Sequence, residues 1–171
     1  MKVKTKIVVN VSTLMMVWLF LACFKSEEYP LEPIILDASA VVYGDSAMVS
    51  FDFTDGDADL GLPVEDTTGI HHPDSFYYNN IYLEYYEKDD NLGWVKGLNL
   101  SGDTIVFGYR IKPLEVSSNT KGIKGRIDVM VSPQYRNITS SQSDTVKFVI
   151  TLIDRALNQS NKFETPELIA L

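Results

Sequence analysis

The chain has 171 residues, 45% of them apolar and 22% charged, which suits one globular domain and excludes a collagen-like, coiled-coil or wholly disordered chain. Its formal charge is −8, from 15 Lys and Arg against 23 Asp and Glu. An acidic balance of this size argues against a nucleic-acid partner, because phosphate backbones are bound mainly through Lys and Arg.

Residues 1–22 read as an export signal. Lys2, Lys4 and Lys6 form a basic start, and Ile7 to Ala22 is an apolar run of sixteen residues interrupted by Asn10, Ser12 and Thr13. A spanning helix needs about twenty apolar residues, so a retained membrane helix is the lesser alternative. The run ends in Leu19-Phe20-Leu21-Ala22-Cys23, with a small residue before the only cysteine of the chain. A lone cysteine forms no internal disulfide, so its position is what matters. This ending resembles the lipobox of a bacterial lipoprotein, which implies lipidation of Cys23 and an address at the cell envelope, on the outer membrane. Phe24-Lys25-Ser26-Glu27-Glu28 is similar to the acidic export tag of surface lipoproteins in Bacteroidetes-type cells. Several acyl chains on one terminus hold a soluble domain stably, whereas one chain is marginal. Residues 23–33 read as the tether, stiffened by Pro30 and Pro33. Without the signal the exported part carries 12 basic and 23 acidic residues, a charge of −11.

Beyond the tether the hydrophobic period is two. Val49, Phe51 and Phe53 alternate with polar neighbours, as do Ile81, Leu83 and Tyr85; Phe107 and Tyr109, Val129 and Val131, and Phe148, Ile150 and Leu152 repeat the pattern. Turn-forming clusters such as Tyr43-Gly44-Asp45-Ser46 and Asp89-Asp90-Asn91 separate these runs. Seven to eight strands are predicted, near 34–43, 46–54, 78–88, 92–97, 103–112, 122–132, 144–153 and 162–170. They predict an all-β domain over 34–171, an immunoglobulin-like antiparallel β-sandwich; a closed barrel is the alternative. Residues 60–77 form one long loop rich in Gly, Pro, Asp and His, of the length that tends to be functional or mobile.

Asp55, Asp57 and Asp59 place three carboxylates in five residues where a strand ends. Oxygen ligands at alternate positions suit a hard cation such as calcium, which takes six to eight oxygens at about 2.3–2.6 Å. An EF-hand is rejected, since Leu60 stands where that loop needs Gly and neither flank reads as a helix. Charge distribution adds to the argument. Between Lys25 and Lys88 there is no Lys or Arg, while fourteen Asp and Glu fall in that interval. Crowded carboxylates raise one another's pKa and destabilise the compact state unless something positive intervenes. A basic residue from the far half or a metal from solution must do so.

A second acidic string, Asp154-Arg155-Ala156-Leu157-Asn158-Gln159-Ser160-Asn161, follows the strand near 144–153. It resembles the D-x-x-G-N turn of bacterial immunoglobulin-like and cadherin-like domains, with Leu157 where that pattern prefers Gly. Together with Phe51 to Leu62, it resembles a family of uncharacterised Bacteroidetes-type lipoproteins carrying a D-G-D-G-D-I-G-type motif near the N-terminus and a D-R-A-x-N-x-S-N motif near the C-terminus. The resemblance implies a sandwich domain on a lipid anchor and no particular activity. In such a sandwich Asp154 and Asn158 would complete a calcium shell begun by Asp55, Asp57 and Asp59. The competing reading is that Asp55 and Asp57 are turn formers whose carboxylates accept local backbone N–H bonds, and that Asp154 and Asn158 do likewise.

Other constellations carry less. Five of the nine tyrosines fall between Tyr77 and Tyr86, and Tyr82, Tyr86 and Trp94 on the outward face could stack on a glycan; ordinary sheet surface is the plainer account of them. His71 and His72, in the long loop, point different ways in extended backbone and are weak candidates for a transition metal. No G-x-S-x-G elbow, H-E-x-x-H or phosphate-cradling Gly loop is present, and Cys23 is committed to the anchor, so no catalytic residue is expected. The sequence reads as a lipid-anchored, non-catalytic binding or scaffold module with an envelope protein or glycan as possible partner. A glycan-binding accessory lipoprotein and a small carboxylate hydrolase are the alternatives.

Overall fold

The computed structural model describes residues 28–114, 121–132 and 144–169; the export signal, Cys23 and the first part of the tether lie outside them. Among the described residues no helix is long and apolar enough to cross a membrane.

The chain forms an all-β sandwich of two antiparallel sheets. β1 (Ile34–Tyr43) and β2 (Ser46–Asp55) make a hairpin through Gly44, whose φ of +61° a side chain would resist. β6 (Ile123–Val131) pairs along the other side of β2, so the smaller sheet runs β1-β2-β6, with Phe51 facing Ala38 and Ile127 across its two neighbours. In the larger sheet β3 (Ile81–Asp89) pairs with β7 (Thr145–Leu152) over Ile81 to Glu87. The first, second and sixth strands thus make one sheet, and the third and seventh are central to the other.

Both margins of the larger sheet are broken. β4 (Gly93–Lys96) pairs with Tyr86 to Asp89 and β5 (Val106–Tyr109) with Ile81 to Glu84, so the two share one edge of β3. Between them the chain leaves the sheet at Gly97 and returns at Ile105, and both residues bond the backbone of Tyr85. Gly97 lies against the Tyr85 ring so closely that a Cβ would stand 2.3 Å from Cδ1. On the outer edge of β7, β8 (Phe163–Glu164) and β9 (Leu168–Ile169) sit on either side of Pro166. The single strand expected over 162–170 is divided because proline has no N–H for the ladder. The strand expected over 103–112 is shortened to β5, and the one expected from residue 78 begins at Ile81. A 3-10 turn at Phe76–Tyr78, capped by the Ser75 hydroxyl accepting from the Tyr77 N–H at 3.1 Å, takes up the preceding residues.

The core lies where alternation places it. Val49, Phe51 and Phe53 from one sheet meet Ile81, Leu83, Tyr85, Val146, Phe148, Ile150 and Leu152 from the other, all buried. Tyr85, Phe107 and Phe148 pack ring on ring with centroids 5.9–6.4 Å apart. Asn161 joins the sheets: its side chain accepts from the Ile35 N–H at 2.8 Å and donates to the Ile35 carbonyl at 3.1 Å.

Candidate metal centre

Period two does more than build the core; it also places a carboxylate. Val49, Phe51, Phe53 and Asp55 share one face of β2, so Asp55 ends a core-facing stripe and is fully buried. On the opposite sheet Phe148, Ile150 and Leu152 share a face of β7, and two residues on Asp154 is 1% exposed. The central strands of the two sheets therefore each bring an aspartate to the same end of the core. Asp59, on the loop leaving β2, completes a group whose ligand oxygens all lie within 4.8 Å of one another.

That loop is fixed from three sides. Leu60 and Leu62 are buried in the core, and backbone bonds tie Leu62 to Ile111 at 2.9 Å and Leu114 to Leu60 at 3.3 Å. Gly61 passes so close to Lys112 that a Cβ would meet its carbonyl oxygen at 2.2 Å. Arg155 donates from Nε to the Asp59 carbonyl oxygen at 2.8 Å. Within the loop Ala58 is held at φ 59°, and in the facing turn Leu157 is held at φ 70°. Among the described residues these are the non-glycine residues with positive φ, and both lie in the acidic loops.

The acids differ in what they are bonded to. Asp154 is well satisfied: Oδ1 accepts from the Asn158 backbone N–H and Oδ2 from the Asn158 amide, each at 2.8 Å. Neither oxygen of Asp55 accepts a hydrogen bond from any described residue, and Oδ1 of Asp59 is likewise buried without one. A buried carboxylate without donors carries a desolvation cost of several kcal/mol, so it takes up a proton or a cation. Burial foremost, then Asp57, Asp59 and Asp154, push the Asp55 carboxyl up to about 7. Asp59 and Asp154 are also raised, each chiefly by burial; Arg155 opposes the rise at Asp59 and Asn158 opposes it at Asp154. No Lys, Arg or His nitrogen among the described residues lies within 4.0 Å of these three carboxylates. Arg155, the basic residue nearest in sequence, is bound to a carbonyl instead.

Four of the five residues expected to hold calcium are thus acids gathered at one end, in two roles. Asp55 and Asp154 are buried and Asp59 is half-buried beside them, while Asp57 is exposed and its charge is among those that raise Asp55. Asn158 donates to Asp154 through its backbone N–H and its side-chain amide and orients that carboxylate, as an outer-shell partner does. The chemistry of the set is all-oxygen, anionic and rigidly framed, which fits a hard divalent cation.

The other singled-out residues are dispersed. Tyr82 stacks on Phe76, centroids 4.8 Å apart and planes 5° off parallel, and its hydroxyl donates to the Phe76 carbonyl. Lys147, buried although charged, reaches over Trp94 at 4.6 Å and Tyr86 at 5.9 Å while pairing with Glu164 at 2.6 Å. Lys88 and Lys96 approach the same two rings at 5.8 and 5.9 Å. Each of the three aromatic residues expected to hold a glycan thus has a partner within the fold, Phe76 for Tyr82 and lysines for Tyr86 and Trp94. His71 bonds Asp66 through Nδ1 at 2.6 Å, whereas His72 is directed toward Asp74, so the two histidines share no ligand position. A residue that pattern reading missed organises their loop: Arg110 donates to the carbonyls of Tyr78 at 2.6 Å, Pro63 at 2.8 Å and Asp66. Its three acceptors are backbone atoms, which no sequence pattern marks.

No protein-family model, curated protein or solved structure compared with the chain matches it.

Proposed function

We propose that this chain is a lipid-anchored, non-catalytic binding or scaffold module of the cell envelope, whose acidic end is closed by a structural calcium ion. The observation that carries the metal is the fully buried Asp55 carboxylate, with no donor among the described residues and with Asp59 and Asp154 beside it. Asp55, Asp59 and Asp154 would bind the ion, Asp57 would add an oxygen from the exposed side, and Asn158 would hold Asp154 in place. Calcium supplies positive charge that residues 26–87 lack, and it would make the loop rigid rather than perform a reaction. Supporting the address are the basic start, the apolar run and Ala22-Cys23.

The test is thermal unfolding of residues 24–171 with calcium and with a chelator. Calcium at one hundred times its dissociation constant stabilises by about 2.7 kcal/mol, which for a domain of this size raises Tm by roughly 8–10 °C. Identical melting with calcium and with chelator removes the metal from the proposal.

A further inference from the structure

The acidic loop is also where the tether meets the domain. Gly56, between Asp55 and Asp57, is pressed against the tether backbone: a Cβ there would stand 2.5 Å from the Tyr29 carbonyl oxygen and 2.3 Å from that of Pro30. Gly122 completes the seat. A Cβ on it would lie 3.0 Å from the Tyr29 ring, 3.0 Å from the Asp55 carbonyl oxygen and 3.2 Å from the Gly56 Cα. Gly122 sits at φ +85° and immediately precedes Ile123, the β6 partner of Asp55. The surface that receives Tyr29 and Pro30 is thus the outer side of the same backbone whose side chains form the buried acidic group.

We propose that cation binding at Asp55, Asp59 and Asp154 locks the Tyr29–Pro30 segment into its glycine seat and so fixes the orientation of the domain over its anchor. This rests on the metal reading above. Without the ion, mutual repulsion among carboxylates favours a more open loop, and spreading of the loop moves Gly56 away from Gly122. With the ion, loop and tether close together. The coupling is reciprocal: a seated tether raises cation affinity by the factor by which the cation favours seating. The mechanical consequence follows from reach. Six residue steps separate Cys23 from Tyr29, at most about 22 Å of extended chain. A seated tether therefore holds the acidic end toward the anchor, whereas a released one adds four further residues of slack before β1 begins at Ile34.

Two readouts on the full chain in detergent separate the ideas. Terbium luminescence, competed by calcium, reports the ion; cleavage after Glu28 by a glutamate-specific protease reports the seat. Calcium is expected to slow that cleavage at least tenfold. Gly56→Ala, at a position with no positive φ to strain, should bind the ion several-fold more weakly and be cut quickly with or without it. Tyr29→Gly, which removes the ring from Gly122 and leaves the loop untouched, should do the same and serves if Gly56→Ala does not fold. Terbium binding with calcium-independent cleavage overturns the locking and leaves the metal standing. Absence of terbium binding overturns both. Slow cleavage of both variants in calcium overturns the seat.

Discussion

Asp55 ends the core-facing stripe of β2 and Asp154 lies two residues past the end of β7, so the interior of the sandwich closes on a pair of carboxylates rather than on apolar side chains. They differ in one respect that decides their chemistry. Asp154 has two donors from Asn158, and Asp55 has none among the described residues.

This asymmetry predicts an inversion at Asp55. In chelator at pH 8 the Asp55→Asn protein is expected to be more stable than the parent by about 1–2 kcal/mol, because a buried charge is replaced by an amide able to donate to its acidic neighbours. In calcium the order reverses, since the variant loses the ion. Melting of both proteins in both conditions decides it; a variant less stable than the parent in chelator refutes the account of Asp55.

The same site sets the pH dependence of the calcium-free protein. Asp55 holds its proton up to about pH 7 when folded and near the ordinary 3.8 when unfolded, with Asp57, Asp59 and Asp154 facing it and Arg155 directed to the Asp59 carbonyl. Between those values the folded chain binds more protons, so stability in chelator falls as pH rises from about 4 to 7, by roughly 2–4 kcal/mol. Calcium needs the deprotonated acids, so its stabilising effect grows over the same interval. Urea midpoints at pH 5 and pH 8, with and without calcium, measure both; a calcium-free protein more stable at pH 8 contradicts the assignment.

Arg110 is predicted to hold the long loop. Its removal leaves the carbonyls of Pro63, Asp66 and Tyr78 without their donor, and Arg110→Ala is expected to cost about 2–3 kcal/mol and to open residues 63–78 to protease. Lysine lacks the planar fork that reaches several acceptors, so Arg110→Lys should recover less than half of the loss. Full recovery by lysine would mean that charge alone, not geometry, holds the loop.

Leu157 bears strain that glycine would relieve. Its φ of 70° lies in the left-handed region, in the turn that aims the Asn158 N–H at Asp154. Leu157→Gly is expected to leave stability unchanged or to raise it by up to about 1 kcal/mol, and Leu157→Val to lower it by about 1–2 kcal/mol. Equal losses for both would show that the side chain's packing, not its backbone, governs this turn.

The sandwich and the inward position of Asp55 were legible in the sequence for a common reason: alternation determines which residues face inward, and it does not stop at the last apolar residue. Phe53 inward implies Asp55 inward, whereas Asp154 lies past the end of β7 and follows two buried residues, Leu152 and Ile153. Leu157 stands where the motif it resembles prefers glycine, and its positive φ gives that preference a physical meaning. What alternation cannot reach is irregular backbone. Asp57 turns outward because the strand has ended, and Asn158 spends its amide on Asp154. The contact of Gly56 with Tyr29 and Pro30 and the three carbonyls at Arg110 join loops distant in sequence with no period to announce them.

The broken margins of the larger sheet bear on how copies of this protein tolerate one another. An uninterrupted outer strand offers a template on which a neighbouring chain can zip, and proteins held at high local density are the most exposed to such assembly. Here β4 and β5 each present four residues before the chain departs, and β8 and β9 present two apiece around a proline. A stranger strand would run out of partners within a single turn of the ladder, so on these two flanks the fold discourages fibrous growth by interruption rather than by charge.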